Sequence, residues 1–512
     1  MARTARLSAL FVPSVLLALA ALVPRVTLAQ APARDTFEPS DKPSVIDGVW
    51  LGTLKAGEDT LRVQFTIRSD RNGEEYCTAD SPDQSAWGIE CGEVSWSPPE
   101  LAIEVPAIKG HYRGKLSADG RELVGVWTQG SPRPFTMTRQ EKPLSPPPPP
   151  KITYAPAMRP VEAEGMQAVL TQDFARALQS GPLAKALGTG VAIGVVKNGV
   201  PRVFAWGNAQ ADSIFEIGSI TKTFTGLTLA QMVEQERVKL DEPVRKLLPP
   251  GTVATPARAE ITLLDLVTQH SGLPRLPDNM MPADHHNPYA DYRALSLYQF
   301  LGRHGVGKPA DGGFLYSNLG FGLLGQALAD RAHTTYPQLV AEEIAVPMHL
   351  EDTVVSLSAQ QQARFIAGYT ADGRPARGWD FDAMAGGGAL HSTAADMLAY
   401  LEAQLHPESF PSSAGGTART LGAALALSHE LRADADPGNR IAFAWLYQEK
   451  RREYWHNGGT GGYSSYAFFN PQGNYAGVVL LNRAPGRLEL ADLIGQHLSQ
   501  RLAGEPAVIF GD

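Results

Sequence analysis

Ser219 and Lys222 stand three residues apart in Phe215-Glu216-Ile217-Gly218-Ser219-Ile220-Thr221-Lys222-Thr223-Phe224-Thr225-Gly226. The segment reads as the first turn of a helix, where residues three apart share a face. The lysine amine therefore lies beside the serine hydroxyl. A hydroxyl is a weak nucleophile until a neighbouring base takes its proton. An amine desolvated among Ile217, Phe224 and Leu227 has a lowered pKa and can share that task. The helix N-terminus adds positive potential where an oxyanion would develop. Taken alone, the pattern is short, and a capping serine beside a solvated lysine satisfies it equally well.

Two further groups supply what an acyl-transfer centre needs. Tyr316-Ser317-Asn318 follows Asp311-Gly312-Gly313, on a loop just before a helix. A phenol beside a lysine can have its pKa lowered and can pass protons. Asn318 can donate to a substrate amide while accepting from the lysine. His456-Asn457-Gly458-Gly459-Thr460-Gly461-Gly462 is a glycine-rich strand edge. Gly458 and Gly459 would let a substrate backbone approach closely, and the Gly459 N–H could join that of Ser219 in an oxyanion hole. A glycine-rich hairpin turn is the plainer alternative.

Other signals lead nowhere. Gly320-Phe321-Gly322-Leu323-Leu324-Gly325 matches G-x-G-x-x-G, but no strand and no βαβ unit precede it, which argues against nucleotide binding. Asp284-His285-His286 lies in a polar loop without metal-ligand spacing and reads as a solvated rim. No Gly-x-Ser-x-Gly is present, against an α/β-hydrolase. The expectation is a centre that needs no metal and no cofactor.

The elements that must position these groups come next. A chain of 512 residues needs more than one domain. With 43% hydrophobic and 19% charged residues it is globular, and a net charge of -8 without a basic run argues against nucleic acid as a partner. Residues 1–29 read as a secretory signal: Arg3 and Arg6, an apolar run from Leu7 to Val23, and small residues before Gln30. The run is short for a span, so no stable membrane span is expected. An exported, periplasmic or secreted chain makes a disulfide the default for Cys77 and Cys91, the two cysteines present.

Residues 40–140 carry short alternating strands such as Leu61 to Ile67, with hairpin turns at Asn72-Gly73 and Asp119-Gly120. Gly48-Val49-Trp50 recurs as Gly125-Val126-Trp127, so the reading is a small antiparallel barrel or sandwich with first and last strands as neighbours. The two tryptophans are assigned to its core. Residues 141–160, with the run Pro146 to Pro150, form a proline-rich linker.

Residues 161–505 form the third region. They open on a helix from Met166 to Leu178, a strand from Val191 to Val196, a turn at Asn198-Gly199 and a strand from Val203 to Trp206. The Ser219 helix runs to about Glu234, and helices occupy about 262–400, one of them entering at Thr393. Strands return at Ile441–Tyr447, Tyr463–Phe469 and Tyr475–Leu481, and a helix at Leu488–Leu502 closes the region. Strands at both ends with helices between predict an α+β domain: an antiparallel sheet flanked by helices, with an inserted helical lobe.

The order Ser-x-x-Lys, Tyr-x-Asn, His-x-Gly resembles the serine β-lactamase and penicillin-binding protein superfamily. Ile261 to Leu273, Tyr316 to Gly322, Gly386 to Thr393 and His456 to Ser464 extend the match to the class C β-lactamase-like branch. The pattern is similar to its D-alanyl-D-alanine carboxypeptidase/endopeptidase type. The resemblance implies that Ser219 is acylated and that Lys222 and Tyr316 share proton transfer. It also implies that Asn318, His456, Gly458 and Gly459 hold the substrate. Its implied substrate is a small peptide, a β-lactam or an ester, with peptidoglycan as a partner. True β-lactamases keep a lysine where this chain has His456. An ordinary histidine titrates near pH 6.5, so carboxylate recognition is expected to follow its charge, and a peptidase or esterase is favoured over a β-lactamase. A catalytically silent muropeptide-binding protein is the rival class.

Overall fold

The computed structural model describes residues 40, 43–56, 59–71, 73–84, 86–129, 131–146, 152–174, 190–284, 286–310, 312–486 and 489–510. The expected signal at 1–29, Asn72, Pro147 to Pro150, the helix end from 175 to 178, His285, Asp311 and Leu488 lie outside them. The chain divides into residues 1–149 and residues 150–512.

In the first unit the period-two pattern does what it must. Nine strands are described: β1 (Gly48–Ala56), β2 (Asp59–Ser69), β3 (Glu75–Ser81), β4 (Ala86–Glu90), β5 (Val94–Ser97), β6 (Glu100–Val105), β7 (Gly110–Leu116), β8 (Glu122–Gln129) and β9 (Ser131–Gln140). They pair in the order β4-β3-β2-β1-β9-β8-β7-β6-β5, so first and last strands are neighbours, Trp50 opposite Arg139. Strands in a flat sheet stand about 4.8 Å apart, which would hold β2 and β7 about 19 Å from each other. Instead the Phe65 and Tyr112 rings lie 6.4 Å apart, and Phe65 and Trp127 6.0 Å. The sheet is therefore rolled around one core, which includes Trp50, Trp127, Phe135 and Met137. Cys77 and Cys91 are joined by a disulfide beside β4.

The second unit opens on β10 (Ile152–Ala155) and α1 (Met166–Asp173). The hairpin β11 (Gly190–Lys197) and β12 (Val200–Gly207) turns at Asn198 and Gly199, both at positive φ, 52° and 74°. The short strand β13 (Phe215–Glu216) leads through a 3-10 turn, Gly218–Ile220, into α2 (Thr221–Glu234). The helical lobe adds α3 (Leu263–Val267), α4 (Ala294–His304), α5 (Asn318–Ala332), α6 (Tyr336–Val340) and α7 (Ala359–Gln362). Three two-residue strands follow: β14 (Gly368–Tyr369), β15 (Pro375–Ala376) and β16 (His391–Ser392), which pairs with β13. Next come α8 (Ala394–Leu405), capped by Thr393, and α9 (Ala418–Ser428). The chain returns to β17 (Ala433–Asp434), β18 (Asn439–Ile441), β19 (Leu446–Gln448), β20 (Glu453–Gly459), β21 (Ser464–Asn470) and β22 (Tyr475–Leu481). It then ends in α10 (Leu490–Ala503) and β23 (Ala507–Phe510), the partner of β10.

Among the described residues the main sheet runs β12-β11-β22-β21-β20-β19-β18-β17, drawing strands from both ends of the unit. Every residue of β11, β21 and β22 is buried, because helices cover both faces. On one side Leu498 and Leu502 of α10 pack with Val191, Ile193 and Val479. On the other, Leu398 of α8 abuts Gly194. Such strands read as continuous apolar runs rather than alternating ones. One expectation is corrected here. The continuous strand over Ile441–Tyr447 is broken at Ala442–Trp445, where Ala444 takes φ 67° and its N–H bonds Val267 O (3.1 Å). Phe443 and Trp445 are buried in this break, so their apolar character does not report a strand.

Candidate active site

Ser219 sits in the turn that enters α2, nearly buried at 9% exposure, where β20 runs backbone to backbone against it. Only glycines permit this seam. Gly218 has φ 50°, and a Cβ there would stand 2.6 Å from Gly459 N; a Cβ on Gly458 would stand 2.1 Å from Ile217 O. Ser465 of β21 ties the turn to the sheet by donating to Ile217 O (2.8 Å). On the far side, Ile217 N donates to Leu390 O (3.0 Å), and Leu390 N to Thr221 Oγ1 (3.0 Å).

Lys222 lies one turn on and is completely buried. Its Nζ is 2.9 Å from Ser219 Oγ, 2.9 Å from Asn318 Oδ1 and 2.6 Å from Gly387 O. Burial, aided by the charge of Arg275, pushes the amine well below its ordinary value. A neutral amine fits these partners. Two N–H groups serve Asn318 and Gly387, and the lone pair is left for the serine O–H.

Tyr316 and Asn318 arrive on the entry to α5, where Ser317 caps the helix by accepting from Gly320 N (2.8 Å). Lys222 Nζ stands 4.9 Å from the centroid of the Tyr316 ring. The sequence predicts a lowered phenol. The structure holds it above its usual value, because burial outweighs the contact with Ser219 and the charge of Arg275. In the free site Tyr316 therefore carries its proton, and Lys222 is the group with a pair to offer.

His456 lies on β20 with its ring 6.3 Å from that of Tyr316. It is 2% exposed, and its Nδ1 bonds Asn457 O (2.6 Å). Burial, with Lys222 nearby, pushes it down to about 3. The expected titration near 6.5 is thus corrected: the imidazole is neutral throughout the physiological range. Asn457 turns to the other face and donates to Asp492 Oδ1 (2.7 Å).

Three contributors were not singled out from the sequence. Gly387 O completes the lysine's partners. Arg275 stands with its Cζ 5.2 Å from the Tyr316 ring centroid. Glu216, three residues before the nucleophile, is buried, accepts from Trp379 N (2.5 Å), and is pushed up to about 7 by burial. Among the described residues no hydrogen bond of ordinary geometry reaches its Oε2 or the neighbouring His391 Nδ1 and Thr460 Oγ1, although Thr460 stands close enough to offset part of the rise in Glu216. Glu216 alone left a signal, a lone carboxylate inside Ile214-Phe215-Glu216-Ile217. The discarded patterns occupy ordinary structural places. Gly322 and Gly325 lie inside α5, in close packing against Met384 and Tyr336. Asp284 accepts from His286 N and pairs with Arg377. No cluster of metal-binding side chains occurs among the described residues.

A sheet built from both chain ends, a helical lobe and a Ser-Lys pair at their junction define a serine hydrolase. The profile of the family described as Beta-lactamase matches residues 176–499, and the chain belongs to that family. Over 340 residues it is 28% identical to the D-alanyl-D-alanine-carboxypeptidase/endopeptidase AmpH of Escherichia coli (strain K12), covering 63% of this chain and 87% of that protein. A beta-lactamase of Yersinia enterocolitica is 28% identical over 237 residues, 43% of this chain and 56% of the relative. Among solved structures, the class C beta lactamase from Rhodobacter sphaeroides superposes with a TM-score of 0.52 at 23% identity. That match covers 65% of this chain and 97% of the other, and it shows a common fold.

Proposed function

We propose that the protein is an exported D-alanyl-D-alanine carboxypeptidase/endopeptidase that cleaves peptidoglycan-type peptides through an acyl-enzyme on Ser219. The observation that carries this reading is the buried Lys222 amine, bonded to Ser219 Oγ and Asn318 and depressed by burial. The similarity to the carboxypeptidase/endopeptidase AmpH supports the substrate class. The apolar run after Arg6 and the Cys77–Cys91 disulfide support export.

In this mechanism Ser219 Oγ attacks the scissile carbonyl while its proton passes to Lys222 Nζ. Backbone N–H groups of Ser219 and Gly459 receive the oxyanion. Asn318 orients the peptide amide, and Gly458 and His456 line the strand edge where the peptide lies. The C–N bond breaks as the leaving amine takes a proton from Tyr316, which Lys222 restores. Water then adds to the ester carbonyl, loses a proton to the same pair, and releases Ser219 and the acid. No metal or cofactor takes part in these steps.

Fluorescent penicillin labelling followed by intact-mass measurement tests the acyl-enzyme, and release of D-alanine from a D-Ala-D-Ala peptide tests the substrate. The expected result is one adduct on Ser219, absent from Ser219→Ala, together with D-alanine release. Ester turnover without peptide cleavage would make the protein an esterase. Peptide binding with neither adduct nor turnover would make it a silent binding protein.

A further inference from the structure

The family's lysine at the position of His456 would be a fixed positive charge in the cleft. This chain lacks it, and His456 is buried and neutral. The structure offers a different cation. Residues 269–275 are sewn to the loop that carries Tyr316. Ser317 N donates to Gln269 Oε1 (2.7 Å), Leu315 N to Gln269 O (2.8 Å), Ser317 Oγ to Pro274 O (2.7 Å) and Leu319 N to Arg275 O (3.1 Å). The last two use the backbone carbonyls of Pro274 and Arg275, so the position of Arg275 is fixed without its side chain. The guanidinium lies 5.2 Å from the Tyr316 ring centroid, on a residue that is half-buried.

A guanidinium in such a place usually has a carboxylate partner. Among the described residues none lies within ion-pair distance of Arg275. The nearest acid along its own segment, Asp278, pairs with Arg303 instead (3.1 Å). Of the titratable side chains that feel its charge, burial holds the Tyr316 and Tyr289 phenols above their usual value, so they keep their protons, and burial disfavours the charged form of Lys222. A planar fork of N–H donors, held by an aromatic ring and lacking an acceptor, is suited to a two-oxygen anion.

We propose that Arg275 is the specificity-determining residue that receives a carboxylate of the substrate beside Tyr316, in place of the family's lysine. The assignment rests on the acyl-enzyme reading for the identity of the substrate. Its test is arranged so that either idea can fail alone.

Binding is measured by calorimetry on Ser219→Ala, which cannot turn over, with N-acetyl-D-Ala-D-Ala and its C-terminal amide. The carboxylate form is expected to bind about ten- to a hundred-fold more tightly, the range of a hydrogen-bonded charge pair. Ser219→Ala/Arg275→Gln should lose that preference while binding the amide as before, and Ser219→Ala/Arg275→Lys should recover part of it. Circular dichroism melting checks that each variant is folded. In the Ser219-containing enzyme, Arg275→Gln should raise KM for a carboxylate-bearing ester relative to KM for its uncharged methyl ester, while any change in kcat from the charge lost beside Lys222 falls on both esters alike. A preference that survives Arg275→Gln overturns the proposal, as does its absence from Ser219→Ala, or an equal loss for both ligands. An Arg275-dependent preference without penicillin labelling of Ser219 would uphold the anion site and refute the acyl-enzyme.

Discussion

Glu216 offers a test of the electrostatics behind the nucleophile that does not depend on the substrate. Its carboxyl is 3% exposed, accepts from Trp379 N, and is pushed from 4.5 up to about 7 by burial. That displacement corresponds to about 3 kcal/mol of differential stability between protonated and ionised folded protein. Below pH 4.5 the group is protonated whether the chain is folded or not. Between 4.5 and about 7 the folded state keeps a proton that the unfolded chain has released, so stability falls as pH rises through this window. Above it both states are ionised, and the fold carries the full cost. Glu216→Gln keeps an acceptor for Trp379 N and has no charge to bury. Relative to wild type, the variant should therefore gain about 3 kcal/mol between pH 4.5 and 8. Urea unfolding read by hydrogen exchange of β21 and β22 peptides follows the second unit alone. Parallel stability profiles for the two proteins across that range would refute the argument.

Lys222→Ala should slow acylation of Ser219 about a hundred- to ten-thousandfold, measured as the rate of penicillin labelling; an unchanged rate would remove the amine from proton transfer. Because burial holds His456 down to about 3, the ratio of kcat/KM for carboxylate and neutral substrates should show no His456-dependent step between about pH 5.5 and 8. A step near 6.5 that vanishes in His456→Gln would contradict that burial. Gly458→Ala places a Cβ 2.1 Å from Ile217 O and should abolish labelling while lowering stability by about 1–3 kcal/mol, seen as a depressed melting midpoint. Removing the Cys77–Cys91 bridge by Cys77→Ala/Cys91→Ala should cost the first unit about 3 kcal/mol, checked by urea unfolding followed at Trp50 and Trp127.

Much of the site is legible in the sequence because its geometry is local. Ser219 and Lys222 meet through one helical turn, and Tyr316 and Asn318 share one helix entry, so spacing alone brings each pair together. The alternation along β1 to β9 is likewise local, and the shared Gly-Val-Trp motif marks β1 and β8, the two strands that flank β9. What spacing cannot carry is the environment. The neutrality of His456 follows from helices and loops packed over β20, and the raised phenol of Tyr316 from burial supplied by distant segments. Gly387 contributes only a backbone carbonyl that accepts from Lys222, which no residue type announces. Arg275 is one arginine among many until four hydrogen bonds fasten the segment 269–275 beside the loop that carries Tyr316. The broken strand at Ala442–Trp445 fails for the opposite reason: buried residues there serve a loop that bonds to α3.

The pairing of chain ends has a mechanical consequence. In the first unit Val49 faces Gln140, and in the second Ile152 faces Phe510. In both units, entry and exit lie at the same end of an antiparallel pair. Tension on those ends pulls along the ladder bonds and loads them one after another, the geometry of a zipper rather than of a shear joint. Each unit therefore yields first where its own chain begins and ends, at low force. The seam between Gly218, in the turn before α2, and Gly459, on β20, lies outside the β10–β23 pair, and it stays closed while β23 peels from β10.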